Sequence, residues 1–414
     1  MRILLVRPPF IDIKNGPPIG LAYISKVLKD AGHEVSVFDI NIDINKNFAE
    51  LGPYTRDYIL PESHPALAYA YNKLDDYCEQ IRSCSPAIVG FSLSYPTVKF
   101  GIAAAEKLAE NIRCIAGGPQ ATYNEQQLLD TGCFDTVVSG YGEEAVLEAI
   151  AKKGIISRKL DKRKEYFPDF SDIPIEDYNG RLPVITARGC PNKCTFCTQH
   201  LPPFFHSIES TVAQIKNTPN IREVMYNDSN INMIPDRTEQ LFNELAKLEN
   251  SPEGHVFGLE IKPGFEKYIS KMAAANVKIA RVGVESGSLR ERESMNKPFF
   301  SNDTAIELLK ETTANKIKTW VQFIFCYPDQ TEEDRQETLN LMNRINESCD
   351  ADYIRHFWYR FVVHHGTEDF FRKRYGVHAL SPQQWENSLY PGGSLEGIIK
   401  KYLDIIPANS KILF

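Results

Sequence analysis

At 414 residues the chain is longer than one hydrophobic core usually supports, so two or three domains are expected. Its content of 43% hydrophobic and 24% charged residues is that of an ordinary soluble globular protein. A net charge of −7 argues against a nucleic-acid-binding surface, and the one dense basic run, Arg158 to Lys164, reads as a solvated linker. No stretch of about 18 apolar residues is present to span a membrane. The opening MRILLVRPPF is broken at Pro8-Pro9, too soon for a secretory signal. The cysteine usage suits a reducing cytoplasm better than a disulfide framework.

Residues 1–153 alternate short apolar runs with amphipathic segments. Strands are expected at Ile3–Val6, Val35–Phe38, Ile88–Phe91, Cys114–Ala116 and Thr136–Val138, each followed by a helix. Such βα repeats predict an α/β domain with a doubly wound, mostly parallel sheet. Ligands of these sheets bind beyond the carboxyl ends of the strands. Those ends carry Ser92-Leu93-Ser94-Tyr95, Gly117-Gly118-Pro119-Gln120 and Gly140-Tyr141-Gly142-Glu143, whose small residues suit close approach by a large, flat ligand.

Residues 154–182, charged and dotted with proline, read as a linker. A second alternating series fills 183–363, with strands near Val184–Arg188, Glu223–Asn227, Val256–Ile261, Ile279–Val284, Thr319–Phe325 and Tyr353–Phe361. Six βα units fall two short of a closed barrel and predict a partial (β/α)6 barrel, active at its strand carboxyl ends. Residues 364–414 break the pattern at Gly366-Thr367 and Pro391-Gly392-Gly393 and read as a small C-terminal cap.

The first strand of this series runs into Cys190-Pro-Asn-Lys-Cys194-Thr-Phe-Cys197. Three thiolates with no fourth nearby can hold a [4Fe–4S] cluster while leaving one iron open to a ligand. With His200 the same residues could instead form a Cys3His zinc site. The long α/β context favours the cluster, because zinc modules are usually small and loop-rich.

The C-x3-C-x2-C spacing, with Phe196 before the last cysteine, resembles the signature of radical S-adenosylmethionine (SAM) enzymes. The N-terminal half resembles the cobalamin domain of the cobalamin-binding branch of that family. The similarity lies in Pro17-Pro18-Ile19-Gly20 and Ala31-Gly32-His33-Glu34-Val35, in the Gly117-Gly118-Pro119 loop, and in Gly140-Tyr141-Gly142-Glu143-Glu144. The resemblance implies a cobalamin-dependent radical SAM methyltransferase acting on an unactivated carbon, or a phosphorus, of a small molecule or peptide. A non-methylating member catalysing rearrangement, oxidation or cyclisation is the alternative. It implies three cofactors: the cluster, SAM and cobalamin. It also implies a flavodoxin- or ferredoxin-type electron donor. No Asp-x-His-x-x-Gly motif is present to ligate cobalt from below.

By the same resemblance, Cys190, Cys194 and Cys197 are the cluster ligands. The SAM candidates are Phe196, Asp228, Glu260, Arg281, Glu285, Ser286 and Phe325. Ser92 to Tyr95, Gly117 to Gln120 and Gly140 to Glu143 are the cobalamin candidates. Lining of the substrate site is expected from Tyr327 and from His356, Trp358 and Arg360, which share one face of the sixth strand. An edge strand showing that polar face to water is the other reading.

Overall fold

The computed structural model describes residues 1–48, 51, 60–199, 201–249, 252–361, 363–364, 366–375 and 406–413. His200, His365 and Pro391-Gly392-Gly393 lie outside the described residues. The chain divides into two compact units, Met1–Pro183 with Asn217–Arg222, and Val184–Lys216 with Glu223–Phe414.

In the first unit six parallel strands form one sheet: β1 (Arg2–Arg7), β2 (Glu34–Asp39), β3 (Ile88–Ser92), β4 (Arg113–Gly117), β5 (Thr136–Gly140) and β6 (Gly154–Arg158). Their spatial order is β2-β1-β3-β4-β5-β6, so the winding reverses between β1 and β3. The ILLV run of β1 is apolar on both sides because both faces are covered. Leu4 and Val6 pack into one core with Phe91, Phe100 and Ala116, while Ile3 and Leu5 pack into another with Leu21, Leu28 and Val138. β6 corrects the linker reading of 154–182. Its burial is poor, as an edge strand allows, and the two isoleucines of GIISR are too short an apolar run to stand out.

The second unit is built on a sheet of β7 (Arg181–Val184), β10 (Glu223–Tyr226), β11 (Gly254–Leu259), β12 (Val277–Glu285), β13 (Lys318–Phe325), β14 (Ile354–Arg360) and β15 (Ser410–Leu413). Strands β10 to β15 pair in parallel, in chain order, as a partial barrel requires. The first expected strand is split. β7 ends at Val184, and β8 (Ala187–Arg188) pairs antiparallel with β9 (Phe204–Phe205), framing the cysteine loop between them. β15 is a strand beyond the six expected. Among the described residues no helix is long and apolar enough to cross a membrane.

Hydrogen bonds tell the two faces of this sheet apart. Thr319 of β13 donates to Thr312 of helix Asn302–Ala314, and His356 of β14 pairs with Asn346 of helix Glu332–Ser348 at 2.9 Å. These residues, with Phe325 and Trp358, therefore face the helices and are fully buried. Arg281, Trp320, Gln322, Phe357 and Tyr359 alternate with the buried set and stay part-exposed on the other face. His356 and Trp358 are thus corrected as substrate-lining residues, and Phe325 as a SAM residue. Burial holds the His356 pKa down at about 4, which keeps the ring neutral in its pairing with Asn346. Trp358 donates to the Ile324 carbonyl at 3.2 Å.

Candidate functional site

The cysteine loop is held at nearly every residue between its thiols. Gly189 has φ +75°, and a Cβ there would meet the Leu201 carbonyl oxygen at 2.4 Å, so only glycine lets the loop turn off β8. The Cys190 N–H then donates to Leu201 at 3.0 Å. The Asn192 side chain donates to Glu260, just past β11, and Asn296 donates to the Lys193 carbonyl at 2.8 Å. The Thr195 N–H donates to Met295 at 3.0 Å, while its hydroxyl shares a 2.7 Å hydrogen bond with Tyr327. Tyr327 is fully buried beside Phe361 and Phe371, so it braces this loop and does not line an open cavity. Phe196 packs in the same cluster.

Burial pushes the Cys194 thiol up to about 12, and the neighbouring Cys197 and Cys190 add to the rise, while Lys297 opposes it. Burial also raises Cys190. Such thiols ionise readily only when a metal centre takes the proton's place. Among the described residues no three His, Cys, Asp or Glu side chains converge on a single-ion position. The donor set fits a cluster that spreads its thiolates over three irons.

Glu260 is a buried hub. Its carboxylate accepts from Asn192 and, at 2.6 Å, from Asn230, while Lys262 lies 3.4 Å away. The Asn230 Oδ1 is buried and accepts nothing among the described residues, so it suits the ammonium of an amino-acid-like ligand. Asp228, by contrast, is spent on structure. It accepts from the Thr186 N–H at 2.7 Å, the Thr186 hydroxyl at 2.5 Å and the Ala187 N–H at 3.2 Å, clamping the break between β7 and β8. Removal from water raises its pKa to about 6 despite these donors. Asp228 is therefore corrected from a SAM ligand to a brace of the loop's first turn.

Glu285 ends β12 at φ +66°, where the register with β13 shifts. Its carboxylate meets Lys297 at 2.6 Å, and that ammonium also donates to the Gly283 carbonyl at 3.1 Å. Lys297 is only 8% exposed; burial opposes its charge, but Glu285 beside it outweighs this and raises its pKa. A Cβ at Gly283 would lie 2.5 Å from Glu285 Oε1, so glycine makes room for the pair. Arg281, two residues earlier, lies over the Trp320 ring at 5.3 Å on the part-exposed face.

Ser286 spends its hydroxyl within the protein. Its hydroxyl donates to Glu291 at 2.6 Å, and Gln330 donates to the other Glu291 oxygen at 2.8 Å, tying the end of β12 to the loop after β13. Burial lifts the Glu291 pKa from 4.5 to about 7. The folded protein thus keeps a proton there that the unfolded chain releases. The stabilisation is full below pH 4.5 and is lost as pH rises through 7, a change of up to roughly 3 kcal/mol. In denaturant titrations across that window, Glu291→Gln should flatten this decline; an unchanged slope would place the titration elsewhere.

In the first unit the three loops expected to meet a flat ligand are interlocked. The Leu93 N–H donates to Gly117 at 2.8 Å, and the Gln120 N–H donates to Leu93 at 3.0 Å. Thr122 accepts from the Gly140 N–H at 3.0 Å and donates to Gly118 at 3.3 Å, joining the loops after β4 and β5. Gly142 fits against Ile24, where a Cβ would come within 2.7 Å. The Leu93 side chain is buried in the core beside Gly101, so it contributes backbone to the sheet edge. The Ser94 N–H donates to the Thr97 hydroxyl at 2.8 Å, closing a turn just before the helix Val98–Leu108.

Lys297, Asn192 and Asn230 were not singled out from the sequence. Asn192 had a visible position inside the cysteine motif, and Asn230 one after β10. Lys297 had no local signal, since a turn and a helix separate it from Glu285.

Comparison with known proteins agrees with this geometry. The radical SAM superfamily model matches residues 184–342, and the B12 binding domain model matches residues 14–150. An uncharacterized methyltransferase of Pyrococcus horikoshii is 24% identical over 406 residues, spanning 86% of this chain and 80% of its own. The anaerobic magnesium-protoporphyrin IX monomethyl ester cyclase of Synechocystis is 26% identical over 234 residues, 48% of this chain and 42% of that protein. The fold is similar to that of the radical SAM methyltransferase TsrM of Kitasatospora setae, solved with cobalamin and a [4Fe–4S] cluster. That likeness has a TM-score of 0.73 at 15% identity, covering 100% of this chain and 93% of that one. Residues 184–342 thus match a radical SAM domain, and a region matching a B12 binding domain precedes it at residues 14–150.

Proposed function

We propose that the protein is a cobalamin-dependent radical SAM methyltransferase that moves a methyl group onto an unactivated carbon, or a phosphorus, of a small molecule or peptide. The observation that carries this reading is the three-thiol loop, braced from β11 and β13 and set beside the buried Glu285–Lys297 pair, in a chain that also holds a B12-binding domain. Bound together, the three groups supply a one-electron reductant for the sulfonium and a cobalt centre that carries methyl.

The chain's own residues do the holding. Cys190, Cys194 and Cys197 would ligate three irons, with Asn192 and Thr195 fixing the loop between them. Asn230 and Glu260 present buried oxygens that would suit the SAM ammonium, and Lys297 holds a buried cation beside Glu285. The interlocked loops at Leu93, Gly118 and Gly140 would seat the corrin at the carboxyl edge of the first sheet. A flavodoxin- or ferredoxin-type protein is the electron source in this reading, and the reaction involves no nucleic acid.

The cyclase relative favours a second reading, in which the same machinery performs a cyclisation without methylation. Both readings share one first test. Anoxically reconstituted protein should take up about four irons and bind hydroxocobalamin. Stoichiometric zinc without iron would overturn both.

A further inference from the structure

We propose that Lys297 is a positioning cation for the cluster: its fixed charge beside Cys194 raises the cluster's reduction potential, and Glu285 opposes it. This rests on the cluster reading above. The ammonium has two partners among the described residues, Glu285 Oε1 at 2.6 Å and the Gly283 carbonyl at 3.1 Å, which leaves one of its three N–H donors unspent inside the protein. Its backbone neighbours are laced to the cysteine loop. Met295 accepts from the Thr195 N–H at 3.0 Å, and the Asn296 side chain donates to the Lys193 carbonyl at 2.8 Å. The charge is therefore held in register with both residues that flank Cys194.

The local backbone is shaped around this placement. Asn296, just before the lysine, sits at φ +56°, and Glu285 at φ +66°. Asparagine takes up that region readily just past a helix end, but a glutamate rarely enters it. A Cβ at Gly283 would come within 3.0 Å of Lys297 Nζ.

The electrostatic consequence follows from charge alone. A [4Fe–4S]2+ cluster on three thiolates takes one electron from an external low-potential donor and gains one negative charge, with no bond made or broken. A nearby cation stabilises that added charge, and a nearby carboxylate opposes it.

The test is a redox titration of the anoxically reconstituted full chain without SAM, read by electron paramagnetic resonance of the reduced cluster. At fixed ambient potential Lys297→Met should lower the ratio of reduced to oxidised cluster on the order of tenfold. Glu285→Gln should raise it, and Lys297→Arg should restore it to near the wild-type value. If both Lys297→Met and Glu285→Gln carry full iron and titrate like the wild type, the proposal is wrong. Should Lys297→Met take up no iron, Glu285→Gln decides, and an unmoved potential there overturns the proposal. A wild-type protein without iron would fail earlier, at the metal analysis, and would count against the cluster reading itself.

Discussion

Cys194→Ala should abolish iron uptake and 5′-deoxyadenosine formation together, the largest effect expected of any single substitution. Cys194 is the most buried of the three thiols, and both of its flanking residues are fixed by hydrogen bonds from Asn296 and to Met295. No other described side chain can move into its place, because the loop is pinned at Cys190, Asn192 and Thr195 as well. Removing it leaves two thiolates, too few to hold the cluster. Iron analysis and the absorption band of the reconstituted protein measure the first effect, and chromatography of the SAM products measures the second. Thermal unfolding of the iron-free protein should change only modestly, since a single buried sulfur is removed. A variant that retains full iron would show that the cluster is ligated elsewhere.

Gly118→Ala should disable the first unit as severely. Gly118 lies at φ +92° and ψ −175°, a region open essentially to glycine alone. An added Cβ would also stand 2.7 Å from the Leu93 carbonyl oxygen and 2.9 Å from its nitrogen. Leu93 cannot retreat, because its backbone is bonded to Gly117 and Gln120 and its side chain is buried in the core. The expected cost is about 2–4 kcal/mol of stability, from strain and steric overlap together. Cobalamin affinity should fall at least about tenfold, because this loop and that of Gly140 move together through Thr122. Urea midpoints and spectrophotometric titration with hydroxocobalamin report the two quantities. Gly132→Ala, at φ +75° but with nothing within 4 Å of the added Cβ, should cost some stability and leave the folded protein's cobalamin affinity unchanged.

How far the sequence reaches can be judged residue by residue. The two α/β series were legible because apolar runs of four to six residues recur with amphipathic helices between them, as in the ILLV stretch of β1. The cysteine loop was legible because three thiols at close spacing point to a metal centre, and the long α/β context favoured a cluster over zinc. β6 was not, since an edge strand needs no apolar face and its residues are mostly exposed. The faces of β14 were read the wrong way round. Polarity pointed His356 and Trp358 toward an open site, but each finds a buried partner, Asn346 and the Ile324 carbonyl. A buried polar residue with a partner looks in sequence like one facing water. Asp228 was misread for a related reason, since an acidic residue at a strand end suits a ligand or a backbone clamp equally. The Glu285–Lys297 pair depends on a positive φ and a register shift, neither of which the residue types disclose.

The account's central claim is methyl transfer through cobalamin, and it can be tested before any substrate is known. The reconstituted protein, loaded with cobalamin and chemically reduced, would be incubated with SAM carrying a trideuterated methyl group. Mass spectrometry of the extracted cobalamin should then find the intact trideuteromethyl group on it, with S-adenosylhomocysteine formed in equal amount. 5′-Deoxyadenosine accumulating while the cobalamin stays unlabelled would contradict methyl transfer and establish the non-methylating enzyme in its place.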